Sequence, residues 1–271
     1  SGFFKECLVS DSQFLINGSM SNTTLRKVVQ IDTGVRRHIN HSISDSDSLS
    51  NCAILNNLND YSTDSWSNIS GVCGNKTIDI SGNYWGTSDA SLVKRQVNDS
   101  DSNPELCDLV QEPFLTLDSP ELESIYPFVT EAYLTEGTGT RIDTVDSGRN
   151  VQLHVKFNRD MDQSIQPMVS YGPAEPYTDY AAYGDWVSAR EWVGSIHVDQ
   201  FIDQGEEFIR VKDAVAADDA WLKTGTDAGR FKFNVSKVNA AAMTLQGSAE
   251  KDGVHLSWKQ DDYSTLAGYN V

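Results

Sequence analysis

Residues able to do chemistry are few and scattered along this 271-residue chain. The densest basic group is Arg36, Arg37 and His38, with His41 close behind. Guanidinium forks pair with carboxylates, so the group is a candidate contact for a glycan, above all an acidic one. The plainer reading is a solvated loop, Gly34 to Leu49, whose cations balance Asp45 and Asp47. The runs Asp45 to Asp47 and Asn98 to Asp101 alternate as calcium ligands do, yet both lack the glycine and the distal glutamate of a calcium loop, which favours acidic loops. Asp160, Asp162, Asp218 and Asp219 are a further candidate for Ca2+ at an interdomain junction, against a reading as turn residues; no other cofactor is expected. His154 falls on the wet side of an alternating strand, so it reads as a surface residue. There is no Gly-x-Ser-x-Gly, His-Glu-x-x-His, phosphate loop or Cys-x-x-Cys. Carboxylates are too abundant to single out a hydrolytic pair. No catalytic residue is assigned.

The elements that must carry these residues begin with a repeat. Lys5 to Val9, Lys27 to Ile31, Ser50 to Ile54 and Lys76 to Ile80 start 22, 23 and 26 residues apart. Each has apolar residues two apart, namely Cys7 and Val9, Val29 and Ile31, Cys52 and Ile54, Ile78 and Ile80, the period of a half-buried strand. Such spacing suits one turn of a parallel β-helix and is too short for a βαβ crossover; the alternative is a sandwich of unrelated short strands. Corners are expected at Asp11 and Ser12, Thr33 and Gly34, Asn56 and Asn57, and Gly82 and Asn83. Cys7 and Cys52 then occupy one inward position two coils apart. At about 4.8 Å per coil their α-carbons lie beyond disulfide reach, so both are expected as buried thiols. Cys73 and Cys107 either staple the closing strand to the last coil or remain two free thiols. A helix over Ser88 to Val97, capped by Ser88, is expected to cover the stack.

Three resemblances follow from particular runs. Gly82-Asn83-Tyr84-Trp85-Gly86-Thr87, followed by a helical stretch and Glu112-Pro113-Phe114-Leu115, resembles the C-terminal end of secreted right-handed parallel β-helix proteins of the pectate-lyase-like and NosD-like group. Phe157-Asn158-Arg159-Asp160-Met161-Asp162 is similar to the signature of bacterial Ig-like repeats, modules that serve mostly as spacers and stalks. Val254 to Trp258 and Leu266 to Val271 resemble the opening of a fibronectin type III domain, of which the chain holds about three of the usual seven strands.

Together these predict an all-β chain in three parts: the end of a β-helix with a capping helix over 1–116, an Ig-like β-sandwich over 117–238, and an incomplete fibronectin type III-like segment over 239–271. The junction, Leu117 to Ser124, reads as a short acidic linker between semi-independent units. Val151, Leu153, Val155 and Phe157 are expected as an inward row, with Ile209, Val211, Phe231, Phe233 and Val235 on later strands. Trp186, Trp192 and Trp221 are expected to fill the space between sheets. A net charge of −18 disfavours nucleic acid and anionic membrane surfaces as partners. No apolar run approaches a membrane span.

Seven Asn-x-Ser/Thr sequons begin at Asn17, Asn22, Asn40, Asn68, Asn75, Asn98 and Asn234. They are N-glycosylation acceptors or the automatic product of Asn-rich and Ser-rich corners. The expected location is secreted or cell-surface. The expected role is a structural or adhesive segment of a large extracellular multidomain protein. The runner-up is the C-terminal, non-catalytic part of a carbohydrate-active β-helix enzyme, either a polysaccharide lyase or a glycoside hydrolase, with glycan as partner. Unfinished strands at both ends would also permit head-to-tail self-association.

Overall fold

The computed structural model describes residues 2–10, 16–26, 30–32, 35–37, 41–43, 48–55, 69–71, 76–101, 104–137, 139–173, 179–199, 204–225, 227–236, 244–250 and 253–259. The chain is all-β, half of it strand and 7% helix.

The first half is a stack of parallel rungs. Val9 pairs with Leu25 and Leu25 with Ile54; Ala53 bridges to Tyr84, and Tyr84 to Leu115. Successive partners are thus 16, 29, 31 and 31 residues apart. The register differs from the one expected. Leu25, not Ile31, lies between Val9 and Ile54, while Trp85 follows Ile54 in place of Ile80. Ile31 belongs instead to an antiparallel pair, Gln30–Asp32 with Val35–Arg37, that leaves the stack. Ile78 and Ile80 are buried on a neighbouring side, where Thr77–Asp79 runs parallel to Asp108–Val110. Equal spacing misled because the first turn is short and the later ones are long.

Corners decide this register. Glu6, Asn22, Asn51 and Gly82 all have left-handed φ, from 50° to 66°, and each immediately precedes a rung. Only Gly82 coincides with an expected corner; Asp11, Ser12, Thr33, Gly34, Asn56 and Asn57 lie outside the described residues. Asn tolerates this conformation because its short side chain bonds locally. Here Asn51 Nδ2 donates to Asn22 Oδ1 at 2.8 Å, tying one corner to the next.

Inside the stack, Met20, Leu25, Leu49, Cys52, Ile54, Ile78, Ile80, Trp85 and Leu109 form one core. Cys7 and Cys52 do stand two rungs apart, with Thr23 between them, and both are free thiols, Cys7 half-buried and Cys52 buried. Cys107 is disulfide-bonded; Cys73 lies outside the described residues. The covering helix is shorter than expected, Ala90–Arg95, and its cap is Asp89, whose carboxylate accepts from Ser91 N at 2.8 Å. Val93 is the residue it inserts into the core.

From Val129 the chain makes one nine-stranded mixed sheet. Its order is Arg141–Ile142, Val129–Thr135, Asn150–Phe157, Glu191–His197, Tyr180–Ser188, Met168–Gly172, Gly205–Lys212, Asp227–Ser236, Thr144–Asp146. The two outermost strands are separated by Asp143 alone, whose carbonyl accepts from Asn234 N at 2.8 Å. One stretch of chain therefore pairs with both ends of the sheet and nearly closes it. Val151, Leu153, Val155, Phe157, Ile209, Val211, Phe233 and Val235 are buried as expected, around the indole of Trp192. Gly194 makes room for that indole, since a Cβ there would sit 2.3 Å from Trp192 Cη2. Trp186 is half-buried beside the core. Trp221 departs from expectation, being 88% exposed in a turn rather than lodged against the sheet. Thr244–Glu250 and Gly253–Lys259 pair antiparallel as a separate hairpin, with Leu245 opposite Trp258.

Candidate functional site

The site with the most converging side chains is the join between stack and sheet. Alternation along the rungs turns Ala53, Tyr84 and Leu115 outward, on the side of the stack away from its core. They are apolar, and the Pro120–Ser124 turn and the residues after it cover them. Leu122, Ile125 and Phe128 form one buried cluster with Ala53, Leu55, Tyr84 and Leu115, and the Tyr84 and Phe128 rings stack with centroids 5.6 Å apart. Burial of each large side chain is worth about 1.5–3 kcal/mol. The stretch expected as a short acidic linker is therefore packed through Leu122. Its acidic residues concealed one buried leucine.

Polar groups finish the join from both sides. From the stack, Asn22 O accepts from Tyr126 N at 3.1 Å, Thr24 Oγ1 donates to Tyr126 O at 2.9 Å, and Asn51 Nδ2 donates to Ser124 Oγ at 2.5 Å. From the sheet, buried Asn158 accepts from Phe128 N at 2.8 Å and donates to Leu122 O and Ile125 O at 2.8 and 3.1 Å. Arg159, also buried, donates to Ile125 O at 3.3 Å and to Asp218 at 2.5 Å. Tyr126 Oη donates to Lys223 O at 2.9 Å. These backbone groups have no strand partner, so the side chains meet an obligation that burial imposes.

The run that carried the Ig-like resemblance is thus the clamp itself. Phe157 and Met161 anchor it in the sheet core, and Asn158 and Arg159 hold the incoming chain. Asp160 accepts from Arg190 Nε at 2.6 Å, and the same guanidinium donates to Glu123 at 2.8 Å. Those bonds hold the Glu123 carboxyl below the usual range and raise Arg190 further above its own. Asp162 accepts from Ser164 N at 2.9 Å and Asp219 from Trp221 N at 2.8 Å, both as turn caps. Two of the four aspartates considered for calcium thus face arginines, and the other two close turns.

A second network covers the outer face of the sheet. His154 Nδ1 lies 2.9 Å from Glu191 Oε1 and its Nε2 lies 3.0 Å from Thr135 Oγ1, an order of hydroxyl, imidazole and carboxylate suited to proton transfer. Thr135 is buried, and the ladder pairs it with Gln152. Its hydroxyl therefore has no approach from solvent. The His154 ring stacks on Tyr133 at 4.9 Å, and Arg141 lies over the same tyrosine at 4.3 Å. This is cross-strand packing of side chains.

Other expected site residues fall apart from the clamp. Arg36 and Arg37 are on the Val35–Arg37 strand, outside the parallel stack, and His38 lies outside the described residues. Among the sequons, Asn22 is half-buried with its amide oxygen bonded to Asn51, a poor position for an acceptor. Asn234 is exposed on its strand, Asn17 and Asn98 lie on described strands, and Asn40, Asn68 and Asn75 lie outside the described residues. Neither a protein-family model nor a curated protein matches the chain.

Proposed function

We propose that this chain is a structural or adhesive segment of a large extracellular or cell-surface multidomain protein. It would comprise the end of a right-handed parallel β-helix, an Ig-like stalk module and the start of a fibronectin type III-like module. The observation that carries the reading is the clamp. Asn158 and Arg159 from the sheet, and Asn22, Thr24 and Asn51 from the stack, grip the same seven residues of connecting chain, Leu122 to Phe128. A spacer that transmits orientation or tension needs such a rigid join, whereas a freely hinged pair of domains is the default where an interface is small. Antibodies raised against residues 129–236 test the assignment on cells that express the chain. Labelling of intact cells, or recovery of the antigen from their medium, is expected; labelling only after permeabilisation would overturn the reading.

A further inference from the structure

Ion pairs cross the outer face of the sheet at several places: Glu131 with Arg141 and Lys156, Asp179 with Arg210, and Glu206 with Lys232. One part of that face is different. Val169 and Val211 are buried, so Met168 and Lys212, which pair next to them in the ladder, face outward. Val169 also pairs with Ala182, and the next position along that register sets Tyr183 beside Met168. Tyr183, Asp185 and Val187 then alternate outward along Tyr180–Ser188. Tyr183 is 79% exposed, Val187 61% and Met168 55%. Lys212 and Asp185 are exposed as well, and neither has an ion pair or side-chain hydrogen bond among the described residues. An apolar patch rimmed by charge is the pattern of a protein-binding surface.

We propose that this patch pairs with the same patch on a second copy of the chain, in a face-to-face dimer that does not depend on the stalk reading. The charges choose that occupant. Lys212 lies two strands from Asp185 and two residues along, about 12 Å away at ~4.8 Å per strand and ~3.4 Å per residue, with Met168 and Tyr183 between them. A twofold axis that lies between the two faces, at right angles to the line from Lys212 to Asp185, sets each Lys212 over the other copy's Asp185 and brings the apolar side chains together in the middle. An isologous contact makes every pair twice, so one cation and one anion left without partners on the same face are enough for self-complementarity. The net charge of −18 opposes association of two copies. At physiological salt that repulsion is screened beyond about 8 Å, whereas two close pairs of opposite charge beside a desolvated apolar centre are screened much less.

Sedimentation equilibrium of the whole chain over a concentration series at physiological salt tests the pairing. A monomer–dimer equilibrium is expected. Asp185→Lys sets lysine against lysine and Lys212→Asp sets aspartate against aspartate, so each should raise the dissociation constant about tenfold or more, and Tyr183→Ser should do likewise. The double variant Asp185→Lys with Lys212→Asp restores opposite charges across the contact and should return the constant to within about threefold of the parent. These exposed positions carry little of the fold, so circular dichroism should not distinguish the variants from the parent. A chain monomeric at every concentration reached, a dimer indifferent to either single reversal, or a double variant no tighter than the singles would overturn the proposal.

Discussion

Along one interior column of the rung stack the residues are Cys7, Thr23, Cys52 and Asn83; along one interior row of the nine-stranded sheet they are Val151, Leu153, Val155 and Phe157. At the corners of the rungs a side chain reaches the carbonyl two residues before it, so small polar groups can be satisfied there. Cys52 Sγ donates to Ser50 O at 3.3 Å and Thr23 Oγ1 to Ser21 O at 2.9 Å. The sheet offers its inner side chains no such partners, because its ladder consumes the backbone, and its core is accordingly apolar. Where each region does bury an amide, the purpose is the same. Asn83 accepts from Cys52 N at 2.8 Å and donates to Leu49 O and Ile80 O at 2.9 and 2.8 Å. Asn158 does the equivalent for the connecting chain. One amide ties rung to rung and the other ties unit to unit.

The largest expected effect breaks the stack. Asn83→Ala leaves three buried backbone groups unpaired and should cost about 4 kcal/mol, while Asn158→Ala, after which Ile125 O keeps Arg159 and Leu122 O keeps Ile125 N, should cost about 3. Chemical denaturation read by circular dichroism checks both. The comparison predicts that Asn83→Ala unfolds the rungs first, and that Asn158→Ala separates one transition into two.

The free thiols sharpen the contrast by pH. Burial pushes Cys52 up to about 12 from an ordinary 9.0. Between those values the folded chain keeps a proton that the unfolded chain gives up, so stability is intact below pH ~9 and falls as pH rises towards ~12, by on the order of 4 kcal/mol at the upper end. Cys52→Ala should flatten that limb of a stability–pH curve, and equal slopes in parent and variant would remove Cys52 from the account.

The smallest effect compares two buried tryptophans. Trp192 Nε1 donates to Gln166 Oε1 at 2.9 Å, whereas Trp85 Nε1 is buried with no hydrogen-bond partner among the described residues. Both Trp→Phe changes leave a cavity, but Trp192→Phe also discards a hydrogen bond and should be the more costly by about 1 kcal/mol in thermal melts.

What the sequence disclosed divides along the same line. Alternation exposed the sheet: Val151 to Phe157 and Phe233 with Val235 read correctly because the ladder imposes a strict period of two. It also identified Cys52, Ile54, Ile78 and Ile80 as buried, but not which rung each belongs to. The rungs are set by left-handed corners, and Glu6 in one of them carries no compositional signal, so the true column through Thr23 and Leu25 was passed over for Val29 and Ile31. Gly82-Asn83 is the one described corner that falls where it was expected, although Asn22 and Asn51 are also of a type that tolerates the left-handed region. The clamp was half legible, since the run from Phe157 to Asp162 stood out while the partners of Asn158 and Arg159 are set by the fold. Trp221 could have been recognised as exposed, for it follows Asp218-Asp219-Ala220 with no alternating apolar residues on either side.

Native-state hydrogen exchange of the connecting chain is the most direct test of the clamp. Tyr126 N and Phe128 N are donated to Asn22 O and Asn158 Oδ1. Both amides are predicted to exchange only through the opening that frees the sheet core, and Phe128 to lose that protection in Asn158→Ala. Exchange of both at the rate of an unstructured peptide in the parent chain would mean two units on a free tether, and would contradict the account.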